Sequence, residues 1–308
     1  MLEHLWIASG DGVAQASRPG DRALRGHAAR ALTRDAAHDR WWVIADGRTI
    51  LRADGDRPRD WREIAQFTDL RAQCLLPLDD RVLVGTSDAH LFLLDPRFGE
   101  LEPIESFERA PGRARWYTPW GASAEVRSLA LGNGGSWLVN VHVGGVARSR
   151  DQGRTWEATM DIDADAHQVL VKDGAPRTVA AATARGLALS ENGGQSWKFH
   201  REGLPATYLR AVAFGERALV VSASRGDEGK DAAIYRRELN GEAGLFERCV
   251  DGLPPAFEDN VNTGSLVARG AFIAAATPGG AVYVSEDDGR RWKAALEGLP
   301  PIKALALS

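Results

Sequence analysis

Short runs of mostly apolar residues recur along the whole chain, and turns rich in Gly, Asp and Pro separate them. Typical runs are residues 41–45, 81–85, 219–222 and 272–276. Runs of this length, bounded by turn residues, predict strands rather than helices. Short strands at such spacing predict an all-β sandwich or barrel, or a propeller if the units repeat.

A five-residue segment recurs beside these runs. Its seven copies are residues 29–33, 70–74, 126–130, 167–171, 209–213, 263–267 and 302–306. Each of the first six precedes a β-rich stretch, whereas the seventh ends the sequence. Residues 3–27 look like a unit that lacks its first strand. Pairing of the last segment with this unit would close a ring and remove exposed strand edges.

These repeats predict an all-β fold, a single seven-bladed β-propeller of four-stranded antiparallel blades. The C-terminal strand would complete the N-terminal blade. The chain length alone favours about two domains, but all-β folds often run longer as one, so we expect residues 1–308 to form a single domain. The alternative is a β-sandwich in which the repeats are coincidental.

Three hairpins share a formula with Ser at its start, Asp or Asn two residues later, then Gly, and Trp at its end. They are residues 149–156, 190–197 and 285–292. The Asp or Asn side chain can accept hydrogen bonds from the turn amides, and the Gly can supply a positive φ. The Trp would begin the next strand and pack beneath the turn. A degenerate fourth copy carries Phe246 at the Trp position. These are folding roles, so the acidic residues here are poor catalytic candidates.

The hairpin formula resembles the Asp-box, or BNR, repeat of β-propellers such as sialidases, sortilin-type receptors and photosystem assembly factors. Sialidases have six blades and an Arg-Ile-Pro motif, which this sequence lacks, so sialidase activity is not expected. The chain is most similar to photosystem II stability and assembly factor-like propellers. Those are single seven-bladed domains with an arginine-rich patch on one face. This resemblance implies a binding or assembly role without catalysis.

The second position of the seven repeated segments is basic in five copies, although the net charge of the chain is −4. In chain order these positions are Arg30, Arg71, Arg127, Gln168, Arg210, Gly264 and Lys303. Pseudo-symmetry would gather them near one mouth of the central channel. Guanidinium groups that converge there would suit a carboxylate or phosphate. The alternative is that each Arg ties adjacent blades together, since buried basic groups need partners.

The connector of residues 106–125 is the longest between predicted strands, and long connectors in compact domains are usually functional or disordered. It carries Trp116, Tyr117 and Trp120 close to two arginines. Such aromatics would suit a sugar ring, a peptide or a partner surface. The alternative is a lid that only fills space over the channel. The predicted binding residues are therefore Arg30, Arg71, Arg127, Arg210, Lys303, Trp116, Tyr117 and Trp120.

The leading functional hypothesis is a non-catalytic binding or assembly module. Its basic, aromatic-lined face would hold an acidic segment of a partner protein or an anionic small molecule or glycan. A carbohydrate-active enzyme, either a glycoside hydrolase or a lyase, is the alternative. It would need two facing carboxylates, for which Asp88, Glu125, Glu258 and Asp259 are candidates. A structural domain that binds its partner through the blade sides is the third possibility.

Other classes of function find little support in the sequence. The seven histidines are scattered, and residues 161–165 lack the Gly and Glu of a calcium-binding EF-hand loop, so no metal or cofactor is expected. A pI near 6.0 argues against nucleic-acid binding, and no run of apolar residues is long enough for a membrane span. Cys74 and Cys249 are isolated, which predicts a reducing, cytoplasmic location. We expect a monomer.

Overall fold

The computed structural model describes residues 1–239 and 244–308. Within these residues, 28 strands form seven four-stranded antiparallel sheets, which are the blades of a β-propeller. The predicted fold class is confirmed. Helical structure in the described part of the chain is limited to short 3-10 turns.

The sheets are numbered as blades 1 to 7 in chain order. Blade 1 contains β1 (Leu5–Ser9), β2 (Gly12–Gln15), β3 (Arg22–Ala23) and the last strand, β28 (Ile302–Leu307). Blade 2 contains β4 (Ala29–Asp35), β5 (Arg40–Ala45), β6 (Thr49–Asp54) and β7 (Arg62–Gln66). Blade 3 contains β8 (Ala72–Pro77), β9 (Val82–Thr86), β10 (Leu91–Asp95) and β11 (Glu100–Pro103). Blade 4 contains β12 (Val126–Leu131), β13 (Trp137–Val141), β14 (Gly145–Ser149) and β15 (Glu157–Ala158).

The remaining blades follow the same order. Blade 5 contains β16 (Ala166–Lys172), β17 (Ala175–Thr183), β18 (Gly186–Ser190) and β19 (Lys198–His200). Blade 6 contains β20 (Tyr208–Phe214), β21 (Ala218–Ser224), β22 (Ala233–Glu238) and β23 (Glu247–Arg248). Blade 7 contains β24 (Leu266–Arg269), β25 (Phe272–Ala276), β26 (Val282–Ser285) and β27 (Lys293–Leu296). The 3-10 turns are Leu2–His4, Ser87–Ala89, Phe107–Arg109, Arg113–Arg115, Asn133–Gly135 and Ile162–Ala164.

The chain divides into two compact units. Unit A consists of Ala29–Ala181 and Leu189–Lys198, and its strands β4, β8, β12 and β16 are successive neighbours. Unit B consists of Met1–Ala28, Ala182–Ala188 and Phe199–Ser308, and its strands β20, β24 and β28 are successive neighbours. That residues 1–308 form one domain stays a prediction.

The last strand completes the first blade, as predicted. β28 pairs antiparallel with β1, with Leu5 opposite Leu307 and Ile7 opposite Leu305. The amide of Ser308 extends the pairing by donating to the carbonyl of His4 at 2.9 Å. Apart from Lys303 and the final Leu307, the side chains of β28 are buried, so its apolar sequence packs into the core of unit B.

Burial explains the hydrophobic pattern that predicted the strands. The second strands of several blades, such as β9, β13 and β25, are buried at every position, because side chains on both sheet faces are covered. Their sequences are therefore mostly apolar rather than alternating. The first strand β12 instead alternates between buried residues and residues that are half-buried or exposed, and Arg127 is at one of the half-buried positions.

The turn chemistry predicted for the three hairpins is confirmed. Asp151 Oδ1 accepts from the Thr155 amide at 2.9 Å, and the hydroxyl of Thr155 donates to Asp151 Oδ2 at 2.6 Å. These hydrogen bonds from Thr155 lower the pKa of Asp151 to about 2. Gly153 has a φ of +82°, which favours glycine. Asn192 and Asp287 accept from the backbone in the same way in the other two hairpins.

The leading serine of each hairpin has a role that the sequence analysis missed. Ser149 Oγ accepts from the Gly153 amide at 2.8 Å and donates to Asp151 Oδ1 at 2.8 Å. The equivalent bonds occur at Ser190 and Ser285. A hydroxyl both donates and accepts, so one serine connects the turn amide to the turn carboxylate or amide side chain. The identical geometry in three hairpins marks this region as scaffold.

The aromatic residue that ends each hairpin lies immediately before the outermost strand of its blade, whereas the sequence analysis placed it at the start of that strand. Trp292 is buried, and its Nε1 donates to the carbonyl of Gly289 in its own turn at 2.9 Å. Trp156 Nε1 instead donates to Ser106 Oγ at 3.1 Å, so it also anchors the start of the connector of residues 106–125. Phe246 is buried directly before β23, although residues 240–243 of its hairpin lie outside the described residues.

Candidate binding site

The connector of residues 106–125 leads from β11 into β12, and its first half is anchored in the core of unit A. Phe107 is fully buried. Its ring centroid lies 4.8 Å from that of Trp156 and 5.4 Å from that of Trp116. Offset and edge contacts of this kind stabilise aromatic pairs beyond simple burial. The loop is therefore fixed to blade 4 by its own aromatic residues.

Arg113 and Trp116 mainly hold the loop together. Arg113 Nη2 lies 2.6 Å from Glu108 Oε2, and its Nη1 donates to the carbonyl of Ala89 at 2.5 Å. The guanidinium carbon of Arg113 lies 5.3 Å from the centre of the Trp116 ring, a cation–π contact. Trp116 is partly buried against the core of unit A. Trp116 is one of the three aromatics predicted to bind a ligand, and these contacts show that it also stabilises the loop.

Tyr117 and Trp120 are exposed, at 48% and 59% respectively. Between them, the buried Thr118 closes the turn, because its amide and hydroxyl both donate to the carbonyl of Ala122, at 3.2 Å and 2.6 Å. The Gly121 amide donates back to the carbonyl of Thr118 at 2.9 Å. The two exposed aromatic rings are thus presented by a hydrogen-bonded turn.

A cavity of about 260 Å³ is lined in part by residues of the same connector that precede this turn. The residues that line it include Pro111, Arg115, Trp116, Gly144, Thr159 and Met160. Arg115 is exposed, so its guanidinium can reach a ligand in the cavity. We define the loop surface as Arg115, Tyr117, Trp120 and this cavity.

Beneath Trp120 lies a cluster of two histidines and one aspartate, which we call the histidine cluster. His142 follows β13, Asp165 precedes β16, and His167 lies within β16. Asp165 Oδ1 is 3.5 Å from His142 Nε2, and Asp165 Oδ2 is 3.4 Å from His167 Nε2. The backbone of Asp165 has a φ of +47°, in the left-handed region that aspartate adopts more readily than most residues. The rings of Trp120 and His142 have their centroids 5.2 Å apart.

The electrostatics of this cluster favour an ionised carboxylate. Burial raises the pKa of Asp165. The hydrogen bond from His167 and the charges of His142 and Arg127 lower it by more than burial raises it, so the pKa of Asp165 lies below its ordinary value. His142 and His167 are both at most 1% exposed. The sequence expectation that the histidines are scattered is wrong for these two.

A buried polar network holds the strands beneath the cluster in register. Asn140 Nδ2 donates to the carbonyl of Ala166 at 2.8 Å, which links β13 to β16. Ser128 Oγ donates to Asn140 Oδ1 at 3.2 Å and accepts from the Val169 amide at 2.8 Å. Asn140 is fully buried. A satisfied network of this kind rigidifies its surroundings, so the two histidines are placed by β13 and β16 together.

The predicted basic positions of unit A differ in their surroundings. Arg30 Nη1 donates to Gln73 Oε1 at 2.8 Å, and Gln73 Nε2 donates to Glu125 Oε1 at 3.2 Å. These two hydrogen bonds connect blade 2 to blade 3, and blade 3 to Glu125, which lies immediately before blade 4. Burial lowers the pKa of Arg30, and the charge of Arg71 lowers it further. Arg71 is exposed and Arg127 is half-buried.

The equivalent positions of unit B are described separately. Arg210 Nε donates to Asn262 Oδ1 at 3.1 Å, which ties blade 6 to the segment before blade 7. Gly264 has a φ of +78°, and Lys303 is exposed. Arg30 and Arg210 therefore serve as the blade ties considered in the sequence analysis. That any of the five basic residues binds a ligand stays a prediction.

The carboxylates proposed for the alternative enzyme lie in different settings. Glu125 accepts from Gln73, and Asp88 is exposed within the Ser87–Ala89 turn. Glu258 and Asp259 are exposed in unit B. A carbohydrate-active enzyme built on these residues stays a prediction. Among the described residues, no helix is long and apolar enough to cross a bilayer.

Comparisons with known proteins agree with the fold. No protein-family model matches the chain, and neither does any curated protein sequence. Many solved structures are similar to it in fold, including the following three. The structure titled "YCF48 bound to D1 peptide" has a TM-score of 0.60 and 17% identity, over 87% of this chain and 80% of that chain. YCF48 from Cyanidioschyzon merolae has a TM-score of 0.55 and 15% identity, over 84% of this chain and 79% of that chain.

The third similar structure is the computationally designed Ika8 protein, with a TM-score of 0.56 and 14% identity, over 91% of this chain and 78% of that chain. The YCF48 matches support, at the level of fold, the predicted resemblance to photosystem II assembly factor-like propellers. Membership of the Asp-box repeat family stays a prediction.

Proposed function

We propose that this chain is a non-catalytic binding module that holds an acidic peptide segment of a partner protein at its loop surface. The observation that carries this proposal is the pair of exposed aromatics, Tyr117 and Trp120, on a turn fixed by hydrogen bonds beside a cavity. A rigid turn of this kind binds a ligand with little loss of conformational freedom.

The aromatic residues argue for a protein partner. Trp and Tyr are the residue types that most often dominate binding energy at protein interfaces. Trp120 is 59% exposed in the chain alone. Burial of its indole against a partner would therefore be favourable. The adjacent cavity of about 260 Å³ is suited to one or two side chains of a bound segment rather than to a large cofactor.

The basic residues argue for an acidic segment. Arg115 is exposed and lines the cavity, and Arg71 is exposed immediately before the first strand of blade 3 in the same unit. Arginine donates two parallel hydrogen bonds to a carboxylate, which gives direction as well as attraction. Arg30 already donates to Gln73, so it should contribute less. The predicted role of Arg210 and Lys303, which lie in unit B, stays a prediction.

The solved structure of YCF48 supports the class of function, because YCF48 is similar in fold to this chain and that structure is titled as bound to a D1 peptide. It identifies no partner for this chain. A cytoplasmic location stays part of the proposal, and the two cysteines are consistent with it because both are free thiols.

Binding of labelled extended peptides, measured by fluorescence anisotropy, tests the proposal. Acidic peptides should bind more tightly than neutral or basic peptides of equal length. Trp120→Ala should weaken binding by about 30-fold, the effect of losing a hot-spot residue of about 2 kcal/mol. Arg115→Ala should reduce the preference for acidic peptides, because it removes a carboxylate partner at the cavity.

Phe98→Ala is a matched control. Phe98 is also an exposed aromatic of unit A, at 71%, and Arg97 lies over its ring at 5.4 Å. It lies in the turn between β10 and β11, away from the loop surface in sequence. Equal loss of binding in Phe98→Ala and Trp120→Ala, or full binding by Trp120→Ala, would contradict the proposal. Competition by free citrate or an oligosaccharide in place of peptides would instead point to a small anion or a glycan.

A further inference from the structure

We infer that His142, Asp165 and His167 form a binding site for a divalent transition-metal ion of the zinc type. Two imidazoles and one carboxylate are a ligand set that zinc and neighbouring metals accept in proteins. The inference concerns the histidine cluster and goes beyond the proposed peptide-binding function. It does not depend on a peptide occupying the loop surface.

The spacing of the three side chains fits one ion. A tetrahedral zinc ion has ligands about 2.0–2.1 Å away, which places neighbouring ligand atoms about 3.3–3.4 Å apart. The two nitrogen-to-oxygen separations in the cluster are 3.5 Å and 3.4 Å. All three residues offer ligand atoms within 4.8 Å of one another. Small side-chain rotations would therefore bring the three groups around a common centre.

The surroundings hold the ligands in place before any ion arrives. His142 and His167 are at most 1% exposed, and the Asn140 network fixes the strands that carry them. The ring of Trp120 covers that of His142 at 5.2 Å between centroids. The Asp165 side chain, which is 19% exposed, is the open side of the cluster. Supporting contacts of this kind orient metal ligands and raise the affinity for the ion.

The ion would replace contacts that the ligands already make. Without metal, the Asp165 carboxylate oxygens lie 3.5 Å and 3.4 Å from the ring nitrogens of His142 and His167, and a bound Zn²⁺ would take the place of these contacts. Arg127 acts on Asp165 through its charge, and this positive charge also opposes a nearby cation. We therefore expect binding at micromolar Zn²⁺ rather than the tighter binding of a four-ligand structural zinc site.

Titration of the wild-type protein is the first test. The full chain is stripped with a chelator and titrated with Zn²⁺ near neutral pH by isothermal calorimetry, in a buffer that does not bind zinc. We expect a single Zn²⁺ to bind per chain at micromolar concentration. X-ray absorption at the zinc edge should show imidazole nitrogens about 2.0 Å from the ion. No binding at micromolar Zn²⁺, or a bound ion without imidazole ligands, would overturn the inference.

Variants locate the site. Asp165→Asn, His142→Gln and His167→Gln should each weaken Zn²⁺ binding by more than about 100-fold, since loss of even outer partners of metal ligands costs about 10- to 100-fold. His38→Gln is the matched control. It removes a histidine whose Nδ1 lies 3.0 Å from Asp35, a single histidine–carboxylate pair, and leaves the cluster intact.

The control should bind Zn²⁺ as the wild type does. Wild-type affinity in Asp165→Asn, or equal loss in His38→Gln, would show that the ion binds elsewhere and would overturn the inference. If a cluster variant fails to fold by circular dichroism, the absorption spectrum of the wild-type protein decides, because it reports the ligands directly. Peptide binding is measured separately, so failure of the metal site leaves the proposed peptide function open to its own test.

Discussion

The repeated hairpins and the histidine cluster both contain a carboxylate with a lowered pKa, but they use it differently. In the hairpin of residues 149–156, both oxygens of Asp151 are engaged by the backbone and hydroxyl of Thr155. The carboxylate of Asp165 instead faces two histidines from different blades. The first arrangement satisfies its own turn, whereas the second brings together groups that are distant in sequence.

The difference indicates that one part of the molecule stabilises the fold and another part is suited to binding. The hairpin arrangement occurs three times with nearly the same distances, as expected for a part that every blade can use. Within the described residues, the pairing of two histidines with one aspartate is found once. It lies next to the exposed Trp120, where the proposed peptide site is. The hairpins should therefore control stability, and the cluster and loop surface should control binding.

The largest expected effect is on the hairpin side of this comparison. Trp292→Ala removes a buried indole that packs in the core of unit B, and it should lower the free energy of unfolding by about 3–5 kcal/mol. Urea denaturation followed by circular dichroism measures it. Peptide binding at low temperature should remain as in the wild type. A variant of full stability that loses peptide binding would break the comparison.

The next effect concerns the boundary between the two regions. Asn140 lies beneath the histidine cluster but belongs to the buried scaffold. Asn140→Ala leaves the carbonyl of Ala166 and the hydroxyl of Ser128 without this partner, so we expect a loss of about 1–3 kcal/mol in unfolding free energy. Val139→Ala in the same strand is a size control without polar loss. If Asn140→Ala costs nothing in denaturant titrations, the network does not position the cluster.

Acid should weaken the hairpins in a defined pH range. Burial raises the pKa of Asp287, but hydrogen bonds from Arg291 and Ser285 outweigh this effect and bring the pKa to about 2. The pKa of Asp151 is also about 2. In the unfolded chain the pKa of aspartate is about 3.9. Because the folded value is lower, this contribution to stability is present above about pH 4 and is lost as the pH falls toward about 2.

The double variant Asp151→Asn with Asp287→Asn tests this range. Asn192 occupies the same position in the natural hairpin of residues 190–197, so the amide fits the turn. The melting temperature of the variant should fall less steeply than that of the wild type between about pH 4 and pH 2. Differential scanning calorimetry at several pH values measures it. Parallel curves would show that the turn carboxylates do not account for acid sensitivity.

The smallest effect is a change in thiol reactivity. Burial raises the pKa of Cys249 to about 12 and also raises that of Cys74, so neither should react with an aromatic disulfide reagent in the native protein. Cys249 packs in the same cluster as Trp292, whereas Cys74 lies in a core cluster of unit A. Trp292→Ala should therefore speed the labelling of Cys249 and leave Cys74 slow. Mass spectrometry of the labelled peptides distinguishes the two.

Most of the fold could be predicted because its signals are local. The hairpin formula contains its own hydrogen-bond donors and acceptors, so Asp151 and Gly153 reveal the turn without the rest of the structure. The unpartnered segment of residues 302–306 indicated the pairing of β28 with β1 in the same way. The hydroxyl of Ser149 was missed, because a serine at the end of a strand has many possible partners.

The candidate site could be predicted only in part, because it depends on packing between blades. Trp120 was identified from its place in a long connector, but its exposure near the partly buried Trp116, which packs on Phe107, could not be predicted from the sequence. His142 and His167 are separated in sequence by the two strands β14 and β15 and the connectors around them. They meet because β13 and β16 are neighbours and Asp165 adopts a left-handed conformation, which no sequence spacing indicates.

The pairing of β28 with β1 has a consequence for how this chain matures on the ribosome. His4 and Ser308 are 304 positions apart, yet they hydrogen-bond to each other. Blade 1 must therefore wait with an open edge while the other six blades are being synthesised. Contacts over so long a separation form slowly, and an open edge invites pairing with other chains. Emergence of β28 from the ribosome should thus be the step that ends the exposure of this edge.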